Sequence, residues 1–356
     1  MIPEETAPEP RFRVWGVRLL KIGVTVLTLY FTWHFLAHGD LKWPQLAARV
    51  AGANRALLAL GVVLLLLRFS LWDWRFRLAA YRAVGRRFGA ISGFFVLISS
   101  AALNLVTPTV RLIGGLMRAR YFARVTGRSF GFFYGVVLYD QIAHHVTMTT
   151  CTWITLIAAS FALGRPLLGS LALAALIAAA VWLIVWTRRR DDGDAHPLVT
   201  FLARRAEKAE GRLQRFFAHG HEAVGVFVRL LVHVPLRFQV ALIGVFYFFV
   251  NAAAQWVLLL AIGAPVNPLA VIAVVALGNA VGTLTGTPGG LGTTEVTMVA
   301  SFKALGVDEV VAAAGTLLFR GLHYATVLTI GLPAVALLEL RTGGGEEERD
   351  LKGEEG

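Results

Sequence analysis

Six stretches of this chain, residues 14–36, 54–78, 130–161, 167–187, 238–262 and 308–339, stay apolar long enough to cross a bilayer, for which about 20 helical residues suffice. A backbone in hydrocarbon finds no water to pair with, so such stretches must close their hydrogen bonds internally as helices. Composition agrees: 56% of residues are hydrophobic and 16% charged, against roughly 45–50% and about 25% in soluble domains. The sequence therefore reads as an all-α polytopic membrane protein. It has a polar lead at 1–13, one transmembrane domain at 14–340 and a Gly- and Glu-rich tail at 341–356 that is expected to be disordered. Acidic and Pro-containing, the lead has no signal-peptide form, so the first apolar stretch is expected to remain as a span. A single cysteine, Cys151, rules out an internal disulfide and any CxxC pair.

The net charge of +12 is carried beside apolar segments rather than on a soluble module, so it speaks for topology and against a nucleic-acid partner. Arg11, Arg13, Arg18 and Lys21 lie at the head of the first span, Arg75, Arg77, Arg82, Arg86 and Arg87 trail the second, and Arg188 to Arg190 follow the fourth. The alternate connections carry few basic residues. Positive residues favour the cytoplasm, which places these ends and both termini there. Residues 188–237 mix Phe201, Leu202, Leu213 and Phe216 with Arg204, Arg205, Lys208 and Arg215. That pattern predicts a cytoplasmic amphipathic connection, either lying on the anionic leaflet or packed on the protein.

Two shorter apolar segments, 91–106 and 267–286, are interrupted by Pro and Gly. With the charges so assigned, the first must enter from the cytoplasmic side and turn back, and the second must do so from the outer side. The expectation is about six full spans plus two oppositely oriented re-entrant helical hairpins. The two segments share an order of residues: Asn104, Thr107, Pro108, then Gly114 and Gly115; and Asn279, Thr287, Pro288, then Gly289 and Gly290. Paired broken segments point to a transporter-type site near the midplane, whereas two kinked helices without a ligand would carry the same residues. Gly278, Gly282 and Gly286, spaced by four, suit either close helix packing or backbone contact with a ligand.

The run from Asn104 through Gly114 and Gly115 to Arg118, the intramembrane Asp140, and the element from Pro288, Gly289 and Gly290 to Glu295, followed by Arg320, resemble the lysylphosphatidylglycerol synthase transmembrane, or flippase-like domain, family. The resemblance spans roughly residues 14–340. It implies a polytopic inner-membrane protein associated with lipid translocation or lipid-linked envelope synthesis. Members that make lysyl-phosphatidylglycerol carry a large soluble aminoacyl-transferase domain after the membrane part; this chain runs only about sixteen residues past Leu340, so synthase activity is not expected.

Charge inside a bilayer costs about 2.5–3.5 kcal/mol per residue even on insertion scales, so each intramembrane ionisable group is a functional candidate. Arg118 and Arg320 are expected to attract a lipid phosphate, through guanidinium forks that match its oxygens, with Asp140 and Glu295 balancing them in the empty site. The alternative is that Glu295 and Arg320 simply brace a hairpin against the last span. The substrate-binding set is thus Asn104, Pro108, Gly114, Gly115, Arg118, Asp140, Asn279, Pro288, Gly289, Gly290, Glu295 and Arg320. No catalytic residue, metal or cofactor is implied: His144 and His145 are adjacent rather than a helical turn apart, which points to a core or cavity role. The expected partner is a membrane lipid, either an anionic phospholipid or a lipid-linked intermediate, with a homodimer or an envelope-synthesis enzyme as the protein partners. A non-enzymatic flippase is the leading reading. A non-catalytic partner that presents lipid to a separate enzyme is the alternative.

Overall fold

The computed structural model describes residues 43–106, 112–162, 170, 173, 197–208, 211–284 and 290–353. The first expected span, all but two residues of the fourth, residues 107–111 with Pro108, and residues 285–289 with Pro288 and Gly289 lie outside the described residues. Eleven helices make up the description, and no strand occurs among the described residues: α1 (Trp43–Ala51), α2 (Arg55–Val84), α3 (Ala90–Val106), α4 (Leu112–Thr126), α5 (Phe130–Ala162), α6 (Pro197–Lys208), α7 (Gly211–Val232), α8 (Val234–Ala261), α9 (Pro268–Leu284), α10 (Thr293–Ala304) and α11 (Glu309–Gly353).

Local chemistry sets the ends of these helices. Asn54 caps α2, its side-chain oxygen accepting from the amides of Ala56 (3.0 Å) and Leu57 (3.2 Å), which satisfies two of the donors a helix start leaves open. Gly85 ends α2 in the left-handed region at φ 76°, where only a residue without Cβ sits freely, and its amide reaches back to the Tyr81 carbonyl. His233 caps α8 through Nδ1, and Asp308 caps α11 through its carboxylate.

Among the described residues, three helices are long and apolar enough to cross a membrane: α2, α8 and the Glu309–Leu338 part of α11. With 33 residues, α5 spans about 50 Å, but Asp140, Gln141, His144 and His145 dilute its middle below that apolar threshold. α11 continues through the segment expected to be disordered, as far as Gly353. Residues 346–352 are rich in good helix formers, so a helix already nucleated upstream is carried past residues 343–345.

α2 packs most extensively on α8. Gly61 permits this, since a Cβ there would stand 2.5 Å from Leu258 Cδ2. One apolar core joins α2, α8, α9, α10 and α11 around Leu65, Leu258, Val274, Phe302 and Ala312. A second joins α2, α4, α5 and α7 around Phe76, Phe122, Phe133 and Val226. The connection read as amphipathic is the pair α6 and α7. α7 packs on α5, where Gly131 and Gly135 let the backbones at His219 and Ala223 approach closely.

Both broken segments become pairs of packed helices, α3 with α4 and α9 with α10. In the first, the Gly114 amide donates to Asn104 Oδ1 (2.9 Å), and a Cβ on Gly114 would run into the Ser100 carbonyl. Gly115 faces the other way, onto Gln141 of α5. In the second, Gly278 lies against Met298 and Gly282 against Thr294, so these two glycines serve close packing. Gly290 (φ 71°) and Gly292 (φ 81°) make the left-handed turn that launches α10.

Candidate functional site

Arg68, in the middle of α2, is 6% exposed. Its Nη1 donates to Asn251 Oδ1 of α8 (2.5 Å) and its Nη2 meets His323 Nδ1 of α11 (2.7 Å). The guanidinium lies 4.7 Å from the Phe69 ring centroid, and His323 stacks on the same ring. Three helices are thus tied together around one cation. One turn further along α11, Arg320 donates through Nε to Glu295 Oε1 of α10 (2.6 Å), and Tyr324 bonds both members of that pair.

A second cluster lies further along α2. Asp140 of α5 receives Arg75 Nε on one oxygen (2.8 Å) and, on the other, Arg118 Nη1 of α4 (3.1 Å) and Trp72 Nε1 (3.1 Å). All three charged residues are 1% exposed. One carboxylate serves two guanidiniums, leaving the cluster one unit positive. Arg118 also lies over the Phe76 and Trp72 rings, where the ring faces offset part of the cost of burying it. Next to it, Asp73 pairs with Arg77 at 2.6 Å.

Between these groups is a cavity of about 470 Å³, within the usual range of about 300–1,000 Å³ for ligand pockets. Arg68, Arg320 and three histidines, His144, His145 and His323, supply its basic wall, and Trp72, Tyr247 and Trp153 its aromatic one. Asn104 and Asn279, one from each broken segment, both open into it. Among the described residues no Asp or Glu lines it.

Of the residues singled out in the sequence, Asn104, Asn279 and Arg320 line the cavity together. Glu295 stands behind Arg320 as its counter-ion. Gly114, Gly115 and Gly290 shape the helix pairs rather than the wall. Arg118, expected to attract phosphate with Asp140 balancing it, donates to Asp140 and does not itself line the cavity; the Trp72 and His144 side chains that do are stacked beside this pair. Arg75, counted in the sequence with the cytoplasmic charges that trail α2, is buried on Asp140 and reaches His144 Nδ1 at 3.1 Å. Sequence reading passed over Arg68, Trp72, Tyr247 and His323. The signal for Arg68 was present, an arginine in mid-span, where the cost of an intramembrane charge marks it as Asp140 and Arg320 were marked. His323, ionisable and within the last apolar stretch, carried it too, whereas Trp72 and Tyr247 carry no such signal, because aromatic residues in a span are ordinary packing material.

The family model for the lysylphosphatidylglycerol synthase transmembrane region matches residues 18–331. No curated protein matches the chain. The matched range takes in every helix that lines the cavity, and the three apolar helices within it are those of a membrane-spanning protein. The chain belongs to the lysylphosphatidylglycerol synthase transmembrane family, a membrane domain associated with lipid metabolism.

Proposed function

We propose that this protein binds a lipid by its phosphate within the bilayer and carries the headgroup from one leaflet to the other, without catalysing a chemical step. The observation that carries the reading is the cavity: two guanidiniums and three histidines face about 470 Å³ whose described lining holds no carboxylate, on helices of membrane-crossing length. An arrangement that costly in hydrocarbon is retained where an anion uses it. Arg68 and Arg320 are the phosphate contacts, and Asn104 and Asn279 bring one polar tip from each broken segment to the same ligand. In this reading α5 is a full span interrupted by its site, the chain makes six crossings, and α3–α4 and α9–α10 are re-entrant hairpins entering from opposite faces. Both termini and the α6–α7 pair are cytoplasmic, and the membrane is the inner one. A cavity of this size takes a headgroup and leaves the acyl chains in lipid.

Scrambling of headgroup-labelled lipid in proteoliposomes tests this, with wild type set against Arg68→Gln and Arg320→Gln after each variant is shown to be monodisperse. Scrambling should fall about ten-fold or more in each, the effect of losing one charge-assisted contact to phosphate. Unchanged scrambling in both would overturn the site. Tight lipid binding without scrambling by the wild type would replace translocation with presentation of lipid to a separate envelope enzyme.

A further inference from the structure

Between Asp73 and Asp140 the sequence holds ten arginines and no acidic residue. Arg75 and Arg118 are buried on Asp140, and Arg77 pairs with Asp73. Arg82, Arg86 and Arg87 around the end of α2, and Arg120, Arg124 and Arg128 around the end of α4, are exposed. The two groups form one face, because Phe88 of the α2–α3 turn packs edge-on against Phe122 of α4 (5.0 Å) and Phe133 of α5 (6.3 Å). Glu222 of α7, which reaches the start of α5, is held by the Ser129 hydroxyl. Like charges gathered on neighbouring turns build a local positive field, which attracts a segment of opposite sign.

The chain carries such a segment. Residues 339–356 hold seven of its 22 acidic residues against three basic ones. Packing brings the segment out beside the arginines. α2 and α11 run in the same direction: Phe69 and Val327 share one core, and three turns further along each helix Ala80 and Leu338 share the next. From that common level α2 leads on to Arg82, Arg86 and Arg87, and α11 leads on through the acidic residues to Gly353. We infer that the acidic segment 339–356 docks on the arginine face that the α2–α3 and α4–α5 turns of its own chain present.

A single exposed ion pair is weak and is screened by salt. Here several charges act at once, and the tether at Leu338 makes the contact intramolecular, which raises the effective concentration of the segment without any added contact. An anionic membrane surface or the same segment of a second copy offers the arginines the same charge, but only the chain's own segment starts at the level that Leu338 fixes. The two turns hold the first residue of α3 and the last of α4. Docking there clamps the helix pair that brings Asn104 to the cavity, whatever the cavity binds.

The test is a spin-label distance measurement on the full-length protein in uncharged detergent. Cys151→Ser removes the native thiol, and Ala90→Cys and Gly353→Cys carry the labels. In about 0.1 M salt, where the Debye length is about 10 Å, the labels should give one narrow distance population. In about 1 M salt, where that length is about 3 Å, the population should fall about ten-fold or more. The double reversal Arg86→Glu with Arg87→Glu should have the same effect at the lower salt, and adding Glu347→Arg with Glu348→Arg should restore the population, which a misfolded variant would not do. A distribution unmoved by salt and by reversal would overturn the docking, and the salt comparison needs no charge variant. The same distance in a mixture of singly labelled copies would also overturn it, by giving the face to a second copy. Loss of the population in phosphatidylglycerol nanodiscs with its retention in phosphatidylcholine ones would overturn it as well, by giving the face to the membrane surface.

Discussion

The two arginine clusters along α2 are built from the same parts and end in opposite states. Around Asp140 the guanidiniums of Arg75 and Arg118 close on a carboxylate with both its oxygens engaged, and an indole and a histidine seal the group from the cavity. Around Arg68 and Arg320 the guanidiniums sit on the cavity wall, and a carboxylate, Glu295, stands behind one of them. The closed cluster binds α2, α4 and α5 together. The open one joins α2, α8, α10 and α11 around a space that a ligand can enter. Intramembrane charge therefore has two uses in this fold, and its contact with the cavity tells them apart.

The largest expected effect comes from breaking the closed cluster. Asp140→Asn leaves two guanidiniums at 1% exposure without a counter-charge, and removing one member of a buried ion pair costs about 3–5 kcal/mol. The variant should lose most of its monodisperse yield and Tm in detergent. Adding Arg118→Met returns the cluster to a single net positive charge and should recover a good part of the loss, a coupling that a double-mutant cycle on Tm measures. A stable Asp140→Asn protein that fails only in scrambling would break the comparison, because the closed cluster would then be functional.

The matching change in the open cluster is Glu295→Gln. It too strands an arginine, but Arg320 faces the cavity, where an anionic lipid can replace the lost carboxylate. The variant should melt below wild type in zwitterionic detergent and be restored by phosphatidylglycerol, by about 2.7 kcal/mol when the lipid is at a hundred times its dissociation constant. Asp140→Asn should show no such rescue. Equal rescue of both variants, read by thermal shift with and without lipid, would erase the difference between the clusters.

The broken segments give a third, smaller test. Gly114→Val drives a branched side chain into the Ser100 carbonyl of α3, and overpacking of this kind costs about 1–3 kcal/mol. Because Gly114 touches Asn104 and Arg118 is one turn away on α4, the loss should appear in Tm first and in lipid affinity through Asn104. Gly225→Ala on α7 has open space around its Cβ and should leave both unchanged.

How much of this was legible beforehand follows from what a sequence encodes. Long apolar runs and their breaks are one-dimensional signals, so α8 and α9 begin and end near where hydropathy puts them, and α2 and α11 begin there. Asn104 and Asn279 could be paired because each precedes a Pro and Gly cluster. Pairing of charge is three-dimensional. Nothing at position 75 distinguishes an arginine that turns inward to Asp140 from the arginines at 82, 86 and 87 that follow it, and the Asp140 that balances Arg118 could be named without its second guanidinium, Arg75. Helical phase decides both, and a helix as apolar all round as α2 gives almost no phase signal.

The smallest expected effect isolates burial from geometry. Lys303 Nζ and Glu309 Oε2 stand 2.7 Å apart, as close as Arg75 and Asp140 at 2.8 Å, but with side chains 48% and 34% exposed. Distance alone would rank the two pairs together. Water screens the first and leaves its groups solvated when parted, so Lys303→Gln should cost about 0–1 kcal/mol and move Tm by no more than the scatter between preparations. Its lipid affinity should also match wild type, since the pair braces the turn between α10 and α11 rather than the cavity wall. A drop in Tm comparable to that of Asp140→Asn would mean that the α10–α11 turn, and not the buried carboxylates, holds the second helix pair against α11.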